Sequence, residues 1–76
     1  MKEMLELLVK NLVDNPEAIE ISEKEEGKSI ILELRVDPQD MGKVIGRQGK
    51  IAKAIRVLMK AYAVKENKKV NVEIIG

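Results

Sequence analysis

Hydrophobic and polar positions change period along the chain. Leu5, Leu8, Val9 and Leu12 recur at i, i+3, i+4 and i+7, which predicts a helix over residues 2–14 with one apolar face. Asn15-Pro16 ends it, because a residue before proline disfavours helical dihedrals. The period then drops to two. Ile19 and Ile21 predict a short strand from Ala18 to Glu23. The charged run Glu23–Ser29 predicts a loop turning at Gly27. Ile30, Leu32, Leu34 and Val36 alternate with Glu33 and Arg35, as in a strand with one buried face.

Helical spacing then returns. Asp37 suits an N-cap and Pro38 a first helical position, with Asp40 adding negative charge in the first turn. A short helix is expected from Pro38 to Ile45, ending at Gly46. A second begins at Gly49 and runs from Lys50 to about Val64. Val70, Val72 and Ile74 alternate in a last strand. On the wheel of the long helix, Ile51, Ile55, Leu58 and Tyr62 share one face, with Ala54 beside it. Lys53, Arg56 and Lys60 share the opposite face, and Lys50 sits at the flank.

The element order is therefore α-β-β-α-α-β. The two early strands, close in sequence, should pair antiparallel. The strands flanking the helix pair need a crossover and should lie parallel. This predicts an α+β domain over residues 1–76, a mixed three-stranded sheet covered on one face by three helices.

Charge sharpens the picture. The net charge is only +1. Yet residues 1–40 hold 5 basic and 11 acidic side chains, whereas residues 41–65 hold 7 basic and no acidic ones. Such asymmetry marks either a surface for an anionic partner or a solvated helix face. Histidine and cysteine are absent, which removes the commonest general base, the commonest zinc ligand and any disulfide or thiolate metal site. No metal, cofactor or catalytic residues are expected, and the chain should not be an enzyme. Gly27-Lys28-Ser29 resembles the end of a phosphate-binding P-loop, but Ser22 stands where that motif needs glycine. The N-terminus lacks an unbroken apolar core and no segment reaches transmembrane length, so the cytoplasm is the expected location.

Gly46 and Gly49 bracket Arg47 and Gln48 at the start of the basic helix. Glycines there let a bulky anion approach the backbone, and a helix start favours negative charge. Taken by spacing alone, the same glycines serve equally as a C-cap and a turn residue.

Here the residues carry a resemblance. Val44-Ile45-Gly46-Arg47-Gln48-Gly49, between two helices of an α-β-β-α-α-β chain, resembles the G-x-x-G loop of a type II KH domain, the bacterial form. The run Gly46-Arg47-Gln48-Gly49-Lys50-Ile51-Ala52-Lys53-Ala54-Ile55-Arg56 is most similar to small stand-alone bacterial KH proteins of the KhpA type. The resemblance implies single-stranded RNA, or single-stranded DNA, held between the helix pair and the sheet. It implies a loop that clamps about four nucleotides of backbone. Gly46 and Gly49 would admit phosphates, Arg47 and Gln48 would touch them, and Lys50 and Lys53 would flank their path. Lys43 lies on the preceding helix and Arg56 on the basic face. Ile45 and Ala52 would floor the site under the bases. Many KH domains place isoleucine where Ala52 stands, so the floor should be shallower here. With Tyr62 the sole aromatic, and on the buried side, binding should lean on phosphates and be weakly selective. The implied role is post-transcriptional RNA regulation or RNA chaperoning.

The alternative is an interaction module that uses the same fold for association. Val57 and Met59 fall outside the expected buried stripe of the long helix, and Leu7 outside that of the first. The resemblance also implies a homodimer, or a heterodimer with a larger KH-containing RNA-binding protein.

Overall fold

The computed structural model describes residues 1–76. Helix α1 spans Lys2–Lys10, strands β1 and β2 span Glu20–Glu26 and Ser29–Arg35, α2 is Met41–Ile45, α3 is Lys50–Lys65 and β3 is Lys69–Ile75. The sheet order is β1-β2-β3, with β1 antiparallel and β3 parallel to β2. The connection from β2 to β3 runs through α2 and α3, so the parallel pair follows from the crossover. No helix is long and apolar enough to cross a membrane.

One core holds the layers together. Ile30, Leu32 and Leu34 of β2 and Val70 and Val72 of β3 point inward. They meet Leu5 and Val9 of α1, Val44 of α2, and Ile55, Met59 and Ala63 of α3. The outward positions of the sheet include Glu20, Glu33 and Glu73, all exposed. The helices thus cover one face and the other is charged. Edge strand β1 carries four glutamates and one lysine, which discourages edge-to-edge pairing.

The structure departs from the sequence-based expectations at three places. First, α1 stops at Lys10, and Asn11 Nδ2 donates to the Leu7 carbonyl (2.7 Å). The chain then turns so that Leu12 and Val13 still pack on the core. Second, β1 begins at Glu20 rather than Ala18, which lies in a 3₁₀ turn over Pro16–Ala18, and it is not over by Glu23. It runs to Glu26, opposite Ser29, leaving only Gly27 and Lys28 in the turn. Glutamate and lysine are poor strand formers, but a ready partner in β2 outweighs that weak preference.

The third departure is the facing of α3. Its buried residues are Ala52, Ile55, Met59 and Ala63, while Leu58 is 54% exposed. Met59, expected outside the buried stripe, is fully buried. Almost every non-basic residue of this helix is apolar, so several stripes compete. The chosen stripe has alanine near each end, which lets the helix lie close to the sheet while Met59 fills the middle. Leu7 and Val57 are exposed, as expected.

Candidate nucleic-acid interface

The corner after β2 sets the direction of α2. Asp37 Oδ1 accepts from the Gln39 N–H (2.9 Å), and Pro38 opens a single 3₁₀ turn, Pro38–Asp40, that leads into α2. A clasp from the segment after α1 holds this corner. The Asn15 N–H donates to Asp40 Oδ2 (3.0 Å), and Asn15 Nδ2 donates to Asp37 Oδ2 (2.9 Å). The Asp40 side chain is buried, and the Asn15 amide is the chief reason its carboxyl sits below the usual range. Lys43 completes the clasp, pairing with Asp14 and lying 3.7 Å from Asp40. The Asp14 carboxylate raises the Lys43 ammonium above its ordinary pKa. In sequence Asn15 reads only as a helix stop and Asp40 only as a first-turn charge, and nothing marks Asp14. Their signal was only the polar Asp14-Asn15 pair before Pro16.

Helix α2 is five residues long, and Val44 anchors it in the core. Ile45, its last residue, is 38% exposed beside the loop. Gly46 then takes φ 76°, ψ 174°, and its N–H donates to the Gly42 carbonyl (2.8 Å). A Cβ at Gly46 would come within 2.5 Å of the Ile51 side chain. Only glycine meets both conditions, so Gly46 is more than a helix terminator.

Arg47, Gln48 and Gly49 form one tight turn, closed by the Gly49 N–H donating to the Gly46 carbonyl (3.1 Å). Gln48 (φ 58°) and Gly49 (φ 74°) are both left-handed. A left-handed glutamine is uncommon, and such residues gather where a ligand is held. The turn delivers the chain into α3, whose first turn has no side-chain cap. The start of a long helix is thereby left open to an anion.

Arg47, Gln48, Lys50 and Lys53 are exposed around this opening. None of the three cations among them pairs with a carboxylate. Three other residues expected at the site are placed differently. Lys43 is engaged by Asp14 and Asp40. Ala52 is 4% exposed, on the buried side of α3 with Ile55, Met59 and Ala63, rather than lining a surface. Arg56 is half-buried, and its Nε donates to the Val72 carbonyl (3.1 Å) at the open edge of β3. The largest groove, about 590 Å³, lies at the far end of α3 and includes Lys60, Val64, Lys68 and Lys69.

Comparison with known proteins gives consistent results. The family model described as KhpA/KhpB, KH domain matches residues 2–74. The chain is 63% identical over 75 residues to RNA-binding protein KhpA of Clostridium perfringens, covering 99% of this chain and all of the relative. It is 45% identical over 75 residues to RNA-binding protein KhpA of Aquifex aeolicus, covering 99% of this chain and 95% of that one. Among solved structures, Aquifex aeolicus Era bound to GDP and aluminium fluoride superposes with a TM-score of 0.64 at 18% identity, covering 96% of this chain and 28% of Era. Era in complex with a nucleotide analogue and nucleotides 1506–1542 of 16S ribosomal RNA gives a TM-score of 0.58, also at 18% identity and with the same coverage. At that identity the likeness to Era shows a shared fold, over about a quarter of the Era chain. With a family model spanning nearly every residue and full-length relatives of high identity, the chain belongs to the KhpA/KhpB KH-domain family.

Proposed function

We propose that this protein binds single-stranded RNA, clamping the phosphate backbone at the Gly46–Gly49 loop with low sequence specificity. It would act without catalysis, as a post-transcriptional regulator or RNA chaperone. The observation that carries this is the loop itself: a glycine turn opening onto an uncapped helix start, with Arg47, Lys50 and Lys53 unpaired around it. The naming of the KhpA relatives as RNA-binding proteins supports it. The acid-free stretch from residue 41 to 65 keeps the surrounding potential favourable to phosphate. Single-stranded DNA would satisfy the same phosphate contacts.

A second property is favoured by α3. Ala54, Val57, Leu58, Ala61 and Val64 form an outward apolar stripe, with Val57 65%, Leu58 54% and Val64 73% exposed. Met4 and Leu8 of α1 extend it beside Leu58 and Tyr62. We propose that a second copy of the chain, or the KH domain of a larger RNA-binding protein, covers this stripe. Lys50 opens the same row of α3 as Ala54, Val57, Ala61 and Val64, so the clamp sits at the start of the helix and the stripe runs on from it.

A salt series separates the two. If about two to four phosphates are contacted, RNA affinity should fall with a log–log slope of roughly −1.5 to −3. Self-association measured by sedimentation should barely respond, because apolar burial is not screened. A flat RNA titration, or a dimer dissociated by moderate salt, would show that these surfaces serve other partners.

A further inference from the structure

The corner before the loop is held from one side by a single dipeptide. Asp37, Asp40 and Lys43 recur at every third position along the 3₁₀ turn and α2. All three are engaged by Asp14-Asn15, 22 to 29 residues away in sequence. Asp40 is the one buried charged residue of the domain. Lys43 is the one cation between residues 41 and 65 with carboxylate partners. It lies two residues before Ile45, hence on nearly the opposite side of α2 from the position beside the loop.

Helix α2 needs such a hold. At five residues it is too short to be stable alone, and Val44 is its only buried side chain. One apolar anchor keeps a helix in place but leaves it free to roll. The polar row facing Asp14-Asn15 removes that freedom. The roll matters because the loop hangs from α2: the Gly46 N–H donates to the Gly42 carbonyl (2.8 Å). Gly46 also lies so close to Ile51 of α3 that no Cβ fits between them. With so little clearance, a rolled α2 displaces Gly46 and the backbone amides that follow it.

We propose that Asp14 and Lys43 are positioning residues for RNA binding. Their pair sets the roll of α2, and so the place of the Gly46–Gly49 turn against the start of α3, without either side chain touching the strand. The proposal rests on the loop binding single-stranded RNA as argued above. An acid near a phosphate-binding surface ordinarily opposes binding. Asp14 favours it, because it acts through geometry. Asp40 and Asn15 share the task, but a buried carboxylate cannot be altered without disturbing the fold. The Asp14–Lys43 pair is exposed and can be removed with the fold intact.

The test titrates the protein with an oligouridine of about eight nucleotides across a salt series, long enough for the roughly four-nucleotide clamp. Asp14→Ala makes the protein more positive, so charge alone would tighten binding. Positioning predicts the opposite sign: binding about threefold to fivefold weaker at every salt concentration, with the log–log slope unchanged. Lys43→Met should weaken binding to a similar extent and the double variant no further, since each residue acts through the other. Lys43→Arg keeps the pair and should bind like the parent. Without RNA, Asp14→Ala should shift the amide resonances of Gly46 to Gly49 and leave those of β2 and β3 in place. Its melting temperature should fall by less than about 8 °C. Tighter binding by Asp14→Ala, with a slope steeper by about 0.7, would make Lys43 a masked phosphate ligand and overturn the proposal. Unchanged binding, or an unfolded Asp14 variant, also overturns it and leaves the clamp standing. Failure of the parent to bind instead overturns the clamp.

Discussion

Aspartates at positions 47 and 48 should leave a folded protein that no longer binds RNA. Arg47 and Gln48 are exposed and carry no core packing. Aspartate is among the residues that tolerate the left-handed backbone found at Gln48. The melting temperature should therefore stay within about 4 °C of the parent. Binding is another matter. A charge-assisted contact worth ~1.5–3 kcal/mol would be lost and like-charge repulsion put in its place. Affinity for a single-stranded RNA pool should drop about 100-fold or more. Undiminished binding by the double variant would move the site away from the loop.

The other large effect concerns stability. Met59→Asp should unfold the domain, whereas Leu58→Asp, one residue earlier, should leave it folded. Met59 is fully buried against α1 and the sheet, and Leu58 is more than half exposed. An unpaired charge at position 59 would cost several kcal/mol, in addition to about 2 kcal/mol of lost apolar burial. A domain of this length has only about 4–11 kcal/mol of stability in total. Leu58→Asp should instead weaken self-association, because it charges the outward stripe. Circular dichroism and thermal melts of the two variants decide the matter. An unfolded Leu58 variant beside a stable Met59 variant would mean that α3 faces the sheet with its other side.

That contrast shows how far the sequence could be read. The strands of the core were legible because Ile30, Leu32, Leu34 and Val70, Val72, Ile74 alternate cleanly. The parallel pairing followed from the length of the crossover. The loop was legible only through its resemblance to a KH G-x-x-G loop, since by spacing alone its glycines read equally as a C-cap and a turn residue. The facing of α3 was not, since a helix apolar on most sides has no unique buried stripe in its pattern. Packing against the sheet chooses it, and small residues at Ala52 and Ala63 favour the chosen one. The extent of β1 was hidden for a related reason. A glutamate-rich segment becomes a strand only because β2 lies beside it.

Long-range polar contacts divided the expected site residues in a way that spacing could not foretell. Lys43 and Arg56 look alike in sequence to Lys50 and Lys53. Asp14, 29 residues from Lys43, and Val72, 16 residues from Arg56, claim them in the fold. Lys50 and Lys53 keep their charges free. Lys43 serves the clasp that sets α2, and through it the loop. Arg56 exchanges mobility for orientation.

The most direct measurement is a nuclear magnetic resonance titration of the whole chain with a single-stranded oligonucleotide at low salt. Backbone amides from Gly46 to Lys53, together with Ile45, should shift first and furthest. The outward residues of the sheet, Glu20, Glu33 and Glu73 among them, should stay in place. Shifts concentrated on the sheet, or on the outward stripe of α3 with the loop unmoved, would contradict a backbone clamp at Gly46–Gly49.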